Sequence, residues 1–189
     1  RRGASCVGLD FSPVALSAAR DLQRQTGLDA SFVEGNVYDA RKLMDGDFDM
    51  VYSTWGAIGW LPDIFAWARV VASLLKPGGR LYLLEGHPFL MQLDEKSPDL
   101  RPGFDWRTPA DKPIIMDDET TYTGDTARLT HTTTVEWLHP LSDVVNAVIA
   151  AGLRIEALNE HELLAWAFAP VMVPVEGRRR MWNCRTGSP

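Results

Sequence analysis

The chain has 189 residues, of which 46% are hydrophobic, so it is long and apolar enough for one globular domain with a substantial core. A formal net charge of −6 argues against a nucleic-acid groove or an anionic membrane as the main partner, since both favour basic surfaces. No apolar run approaches the roughly 18 residues of a membrane span, and no signal-peptide core follows Arg1, so the sequence predicts a cytoplasmic protein.

The first residues predict a strand, a helix and a second strand. The apolar run of residues 6–9 ends at Asp10, and Ser12 with Pro13 predicts a helix start, because serine caps helices and proline suits their first position. Residues 30–34 predict the next strand. In open α/β sheets ligands lie beyond the carboxyl ends of the strands, which makes Asp10 the first binding candidate. An aspartate that only ends a strand is the alternative.

Two further strands follow, on either side of a second helix. Residues 48–53 and 80–85 have the apolar character of strands, and residues 63–75 have apolar side chains at helical spacing. Gly27 is predicted to end the first helix, and the turn of residues 76–79 is predicted to end the second. Strands that alternate with helices predict an α/β fold with a doubly wound, mostly parallel sheet.

The middle of the chain departs from this alternation. Prolines interrupt residues 89–120, which predict loops, whereas residues 121–124 and 130–137 predict a hairpin. We therefore predict a single domain over residues 1–189 that contains a substrate-side insertion at residues 89–137.

The end of the chain predicts a helix at residues 143–151, a strand at 153–158 and a final antiparallel strand within 178–185. Cys184 in this last strand and Cys6 in the first are interpreted as buried core residues. The sequence has no CxxC, no HExxH and no other metal-ligand cluster, so it predicts no metal site.

Taken together, these elements resemble the class I S-adenosylmethionine-dependent methyltransferases. The resemblance runs from about Gly3 to Pro88, and the closing helix and strands from Leu141 onward agree with it. The motifs that carry it are Val7–Pro13, Phe32–Val37, Phe48–Val51 and Leu74–Leu81. The resemblance implies a Rossmann-like seven-stranded sheet with an antiparallel last strand, S-adenosyl-L-methionine as cofactor, S-adenosyl-L-homocysteine as product and no metal.

The resemblance also implies cofactor contacts at the strand ends. Asp10 would hold the ribose hydroxyls and Phe11 would lie against the adenine, since a carboxylate accepts two hydrogen bonds and an aromatic face stacks on a base. Asn36 falls where the family has an aspartate for the adenine amino group, and the backbone N–H of Val37 would face a ring nitrogen. A turn asparagine is the alternative. The methionine part of the cofactor would lie along the backbone of Ser53 and Thr54.

The methyl acceptor would face residues outside the shared sheet. His87 follows the fourth strand, and an unperturbed pKa of about 6.5 suits a general base, although a histidine before proline is often a turn residue. Trp55, Trp60, Trp137 and His139 are the candidates for acceptor contacts, with packing as the alternative for the tryptophans. A small molecule is favoured over nucleic acid as the acceptor, because the acidic chain lacks a basic aromatic stripe.

One departure from the family concerns its first strand and glycine-rich loop, which would lie before Arg1. Neither Gly3 nor Gly8 lies in a strand-to-helix loop of that kind. The strand is central in the family's sheet, and a sheet without it would have two unpaired ladders. We therefore expect the natural protein to carry these residues upstream.

Two other functions fit the sequence less well. A nicotinamide-dependent oxidoreductase also has an acidic residue after its second strand, but the Asn36–Val37 strand end and the turn of residues 76–79 do not favour it. A methyltransferase-like domain that binds a partner without turnover is the other alternative, because the glycine-rich loop is absent from the sequence given.

Overall fold

The computed structural model describes residues 3–98, 100–119, 128–165, 167–169, 172–176 and 182–184. The chain divides into two compact units. The first unit comprises Arg1–Ser53, Phe65–Leu83 and Ala147–Leu153, and the second comprises Thr54–Ile64, Leu84–Asn146 and Arg154–Pro189.

Strands and helices alternate through the first half of the described chain, which confirms the α/β class. The strands are β1 Cys6–Asp10, β2 Ala30–Glu34, β3 Phe48–Thr54, β4 Leu75–Leu84, β5 Ile114–Asp117, β6 Thr133–Glu136, β7 Met172–Pro174 and β8 Trp182–Cys184. The helices are α1 Pro13–Thr26, α2 Ala40–Leu43, α3 Ile64–Leu74, α4 Pro88–Met91 and α5 Leu141–Ala150. Among the described residues, no helix is long and apolar enough to cross a membrane.

The segment β1–α1–β2 matches its prediction closely. The two strands pair in parallel, with Asp10 opposite Glu34. The Ser12 hydroxyl accepts the N–H of Ala15 at 3.2 Å, and Pro13 occupies the first turn of α1, as the capping pattern predicts. Gly27 ends the helix in the left-handed region at φ 64°.

The strands β3 and β4 form a second two-stranded sheet. Lys76 in β4 reaches both carboxylate oxygens of Asp49 in β3 at 3.0 Å, and the rings of Tyr52 and Tyr82 stack with centroids 5.3 Å apart. Helix α3 ends at Leu74, within one residue of the predicted end before residues 76–79, but these residues belong to β4 and do not form a separate turn.

The predicted loop at residues 89–120 contains both α4 and β5. Strand β5 pairs antiparallel with β6, with Ile114 opposite Glu136. Its four residues follow Pro113, and so short an apolar stretch beside proline does not indicate a strand by itself. The predicted strand at 121–124 lies outside the described residues, whereas the one at 130–137 is confirmed by β6.

The end of the chain differs from its prediction at two points. Residues 153–158 form no strand, and most of them are exposed. They have no partner strand among the described residues, so the alternating pattern alone was insufficient to predict a strand. Helix α5 begins two residues earlier than predicted. The pairing of β7 with β8 is antiparallel, as expected for the final strand.

The described strands therefore pair as four two-stranded sheets, in the order β1–β2, β3–β4, β5–β6 and β7–β8. The prediction of Cys6 as a buried core residue is wrong, since its side chain is exposed on β1. The side chain of Cys184 lies outside the described part of the structure. The single domain with its insertion at residues 89–137 stays a prediction.

Candidate functional site

The carboxyl end of β1 presents two candidate cofactor residues to solvent. Asp10 is exposed, and its Oδ1 accepts the backbone N–H of Ser12 at 2.8 Å. Its carbonyl accepts the N–H of Gly35 at 3.0 Å, which fixes the strand end against the residue after β2. The Phe11 side chain is 73% exposed. A carboxylate and an aromatic face are therefore accessible at adjacent positions in the first unit.

Asn36 follows β2 and caps a short 3₁₀ turn at Val37–Asp39. Its Oδ1 accepts the N–H of Tyr38 at 3.0 Å, which is the role of a turn asparagine. An amide oxygen has two lone pairs, so this bond leaves the capacity for a second one. The backbone of Asn36 and Val37 thus has a fixed conformation at the carboxyl end of β2.

The strand β3 ends at Thr54 in an unusual backbone conformation. Ser53 and Thr54 are half-buried, and the next residue, Trp55, has φ 59°. The N–H of Trp55 donates to the carbonyl of Leu84 at 2.8 Å. Gly56 continues in the left-handed region at φ 82°. Two successive residues with positive φ reverse the chain and leave Trp55 half-exposed.

A carboxylate outside the set of predicted site residues organises this loop. Glu85 directly follows β4, and its Oε2 and Oε1 accept the N–H groups of Gly56 at 2.6 Å and Ile58 at 3.2 Å. Burial raises the pKa of Glu85, while hydrogen bonds from the backbone N–H groups of residues 56–58 oppose that shift. The charged form thus has two hydrogen-bond donors, Gly56 and Ile58, despite its partial burial.

The segment of residues 137–139 runs beside the same loop in the second unit. The backbone N–H of Trp137 donates to the carbonyl of Gly59 at 2.8 Å, and its indole N–H donates to the carbonyl of Ala110 at 3.1 Å. Nε2 of His139 lies 2.7 Å from the carbonyl of Leu61. Because a carbonyl only accepts, Nε2 carries a proton and the neutral ring has its lone pair on Nδ1.

Both ring nitrogens of His87 are engaged. Nδ1 accepts the N–H of Phe89 at 3.2 Å and so caps the short helix α4. The proton therefore lies on Nε2, which is 2.8 Å from Oε1 of Glu160. The turn role that the sequence left open for this histidine is thus observed.

Comparisons with known proteins agree with these features. Residues 1–81 match the family model described as a methyltransferase domain. The structure of an S-adenosylmethionine-dependent methyltransferase from Mesorhizobium loti superposes with a TM-score of 0.55 at 21% identity, over 84% of this chain and 68% of that one. One from Clostridium acetobutylicum ATCC 824 gives 0.57 at 13% identity, over 95% and 73%. Residues 1–81 therefore match a methyltransferase domain, and the chain has the fold of these S-adenosylmethionine-dependent methyltransferases.

A curated relative adds a partial match to this chain. The ubiquinone biosynthesis O-methyltransferase of Xanthomonas euvesicatoria pv. vesicatoria (strain 85-10) is 34% identical over 83 residues, which are 44% of this chain. The match covers 34% of the relative, so the chain spans about a third of the length of the curated relatives that it matches.

The structure groups some of the predicted residues and not others. Within the second unit, Trp60, Trp137 and His139 belong to one hydrogen-bonded cluster with the loop after β3, whereas His87 pairs with Glu160. Glu85 could have been found as an acidic residue at a strand end, the signal that selected Asp10. Within the described residues no group of three or more potential ligands could hold a metal ion.

Proposed function

We propose that this chain transfers a methyl group from S-adenosyl-L-methionine to a small-molecule acceptor. The observation that carries the proposal is the exposed Asp10–Phe11 pair at the carboxyl end of β1, within the residues that match a methyltransferase domain. When bound, the cofactor supplies an electrophilic methyl group on a sulfonium centre.

The residues at the strand ends of the first unit fit such a cofactor. The Asp10 carboxylate accepts one backbone bond at Oδ1 and has further lone pairs for the ribose hydroxyls. The exposed Phe11 ring offers a face for the adenine. The remaining contacts are assigned to Asn36, Val37 and Ser53 of this unit, and to Thr54 at the end of β3.

The acceptor contacts are assigned to the second unit. The side chains of Trp55 and Trp60 are each 50% exposed, so both can bury the apolar part of a small ligand. Trp137 and His139 border the loop that carries these tryptophans. The net charge of −6 supports a small molecule rather than a nucleic acid. The relative described above has ubiquinone biosynthesis in its name, which agrees with a small acceptor.

A proton that leaves the acceptor needs a base, and His87 is assigned this role. To accept that proton, Nδ1 would have to give up its hydrogen bond from the Phe89 N–H. Glu160 would then stabilise the imidazolium through Nε2. His139 is the second candidate, since its Nδ1 carries the lone pair while Nε2 donates to Leu61.

Calorimetry on the full-length natural protein tests the proposal. We expect S-adenosylmethionine and S-adenosylhomocysteine to bind and NAD not to bind. Transfer of a labelled methyl group to a panel of small phenols, amines, thiols and carboxylic acids then identifies the acceptor. Binding of NAD alone would instead favour an oxidoreductase. Cofactor binding without turnover on any acceptor class would favour the non-catalytic alternative.

A further inference from the structure

Glu85 concentrates hydrogen bonds on one short loop. Two backbone N–H groups, those of Gly56 and Ile58, donate to the two oxygens of its carboxylate. The donors of Gly56 and Ile58 lie 29 and 27 residues before Glu85 in the chain, so the contact joins the loop after β3 to the end of β4. A single side chain thus satisfies two N–H groups of a distant segment.

The backbone of this loop takes a conformation that suits an anion. Trp55 and Gly56 both have positive φ, and a residue as bulky as tryptophan rarely adopts this region. Successive N–H groups in such turns converge on a concave site that favours negative charge. The Glu85 carboxylate occupies that site.

The same loop exposes two tryptophans while its backbone is held. Ile58 is buried, and the carbonyl of Gly59 accepts the N–H of Trp137, which fixes the middle of the loop. Trp55 and Trp60 flank this anchored portion and remain half-exposed. The loop backbone therefore sets the positions from which both indole rings project.

We propose that Glu85 is a positioning residue that orients Trp55 and Trp60 for contact with the methyl acceptor. This inference rests on the proposed function, in which the two tryptophans contact the acceptor. Glu85 acts through the loop and does not itself touch the reacting atoms.

The test compares Glu85→Ala and Glu85→Gln with the matched control Glu95→Gln. Burial also raises the pKa of Glu95, so both glutamates are partly buried carboxylates, but Glu95 lies outside the loop. Each protein is labelled with 5-fluorotryptophan, and Trp55→Phe and Trp60→Phe variants assign the fluorine signals. Hydrogen exchange reports the amides of residues 56–58. Phenol serves as a small aromatic probe for the exposed indoles.

In Glu85→Ala we expect the amides of Gly56 and Ile58 to exchange roughly tenfold faster or more, since each loses a bond to a charged acceptor. The signals of Trp55 and Trp60 should move and their response to phenol should weaken, while buried Trp67 stays unchanged. Glu85→Gln keeps one carbonyl oxygen and should restore part of the protection. Glu95→Gln should behave as the wild type.

Unchanged amide protection and unchanged Trp55 and Trp60 signals in Glu85→Ala would overturn the inference, as would wild-type indoles that ignore phenol. A general loss of structure in Glu85→Ala would shift the fluorine signal of Trp67 as well. In that case the same measurements on the milder Glu85→Gln variant decide whether the inference holds. Failure of the proposed function would appear separately, as absent S-adenosylhomocysteine binding in the wild type.

Discussion

The segment β1–α1–β2 and the loop of residues 54–60 reach their conformations by different means. The first is set by contacts between near neighbours, such as Ser12 with Ala15 and Gly27 with Gln23. The loop is held by partners far along the chain, including Glu85 and the segment of residues 137–139. A sequence read locally can therefore predict the first region, whereas the second depends on contacts that form only in the folded chain.

The largest expected effect comes from a substitution in the buried core of the first region. Leu16 on α1 is 2% exposed, and Leu16→Ala should lower the free energy of unfolding by about 2–5 kcal/mol, through lost apolar contact and the cavity left behind. Urea denaturation measures this change. Leu22→Ala on the same helix is the control, because its side chain is 61% exposed and should change stability little. Equal effects of the two variants would contradict the packing of α1.

A second experiment tests the ligand role of the same region. Asp10→Ala should weaken S-adenosylhomocysteine binding by roughly 10- to 100-fold, since a charged acceptor for two hydroxyls is lost. Calorimetry measures the affinity.

Asp10→Asn separates this role from the local turn. Its amide oxygen can still accept the Ser12 N–H that Asp10 Oδ1 accepts, while the negative charge is removed. Weakened binding in both variants supports the ribose contact. An affinity that Asp10→Ala leaves intact would sink the assignment.

The third experiment strains the second region without removing a contact. Gly56 has φ 82°, and a Cβ at this position would have open space around it, so Gly56→Ala should cost only the backbone penalty, about 1 kcal/mol. Thermal unfolding measures the change. Gly46→Ala is the control, because Gly46 has open space too but no positive φ. A Gly56→Ala protein as stable as the control would contradict the left-handed conformation of the loop.

The elements that the sequence predicted well have local signals at both ends. Helix α1 has a serine cap and a closing glycine, and its flanking strands are short apolar runs. Strand β5 lacked such a signal, because it is four residues long and becomes recognisable only beside β6. Residues 153–158 show the opposite case, because they have the alternating pattern of a strand but form none.

The candidate site divides in the same way. Asp10 and Phe11 follow a predicted strand directly, so their place at its end could be read from the sequence. The function of Glu85 could not, because its two donors, Gly56 and Ile58, lie in a loop almost thirty residues earlier, and no local pattern links them to Glu85. The second nitrogen partner of His87, Glu160, is also distant in the chain.

The smallest effect concerns another long-range contact of the second unit. Arg107 donates to both carboxylate oxygens of Asp143, at 2.6 and 2.7 Å, near the start of α5. This hydrogen-bonded guanidinium lowers the pKa of Asp143. A carboxyl with a lowered pKa stabilises the fold above its unfolded pKa, and this contribution is lost as pH falls through the folded pKa. The Arg107 side chain is largely exposed, so screening keeps the contribution of the pair small.

Arg107→Gln should therefore lower the Tm slightly at neutral pH, and the difference from the wild type should shrink in acid as Asp143 becomes protonated. Glu85 has the opposite pH dependence, because its raised pKa favours the folded state at low pH. The difference in Tm between the variant and the wild type at each pH removes this contribution, since both proteins contain Glu85. Arg128→Gln is the control, because both its side chain and that of its partner Glu119 are strongly exposed. A difference that stays constant across the acid range would mean that Arg107 acts through packing of its side chain and not through the charge of Asp143.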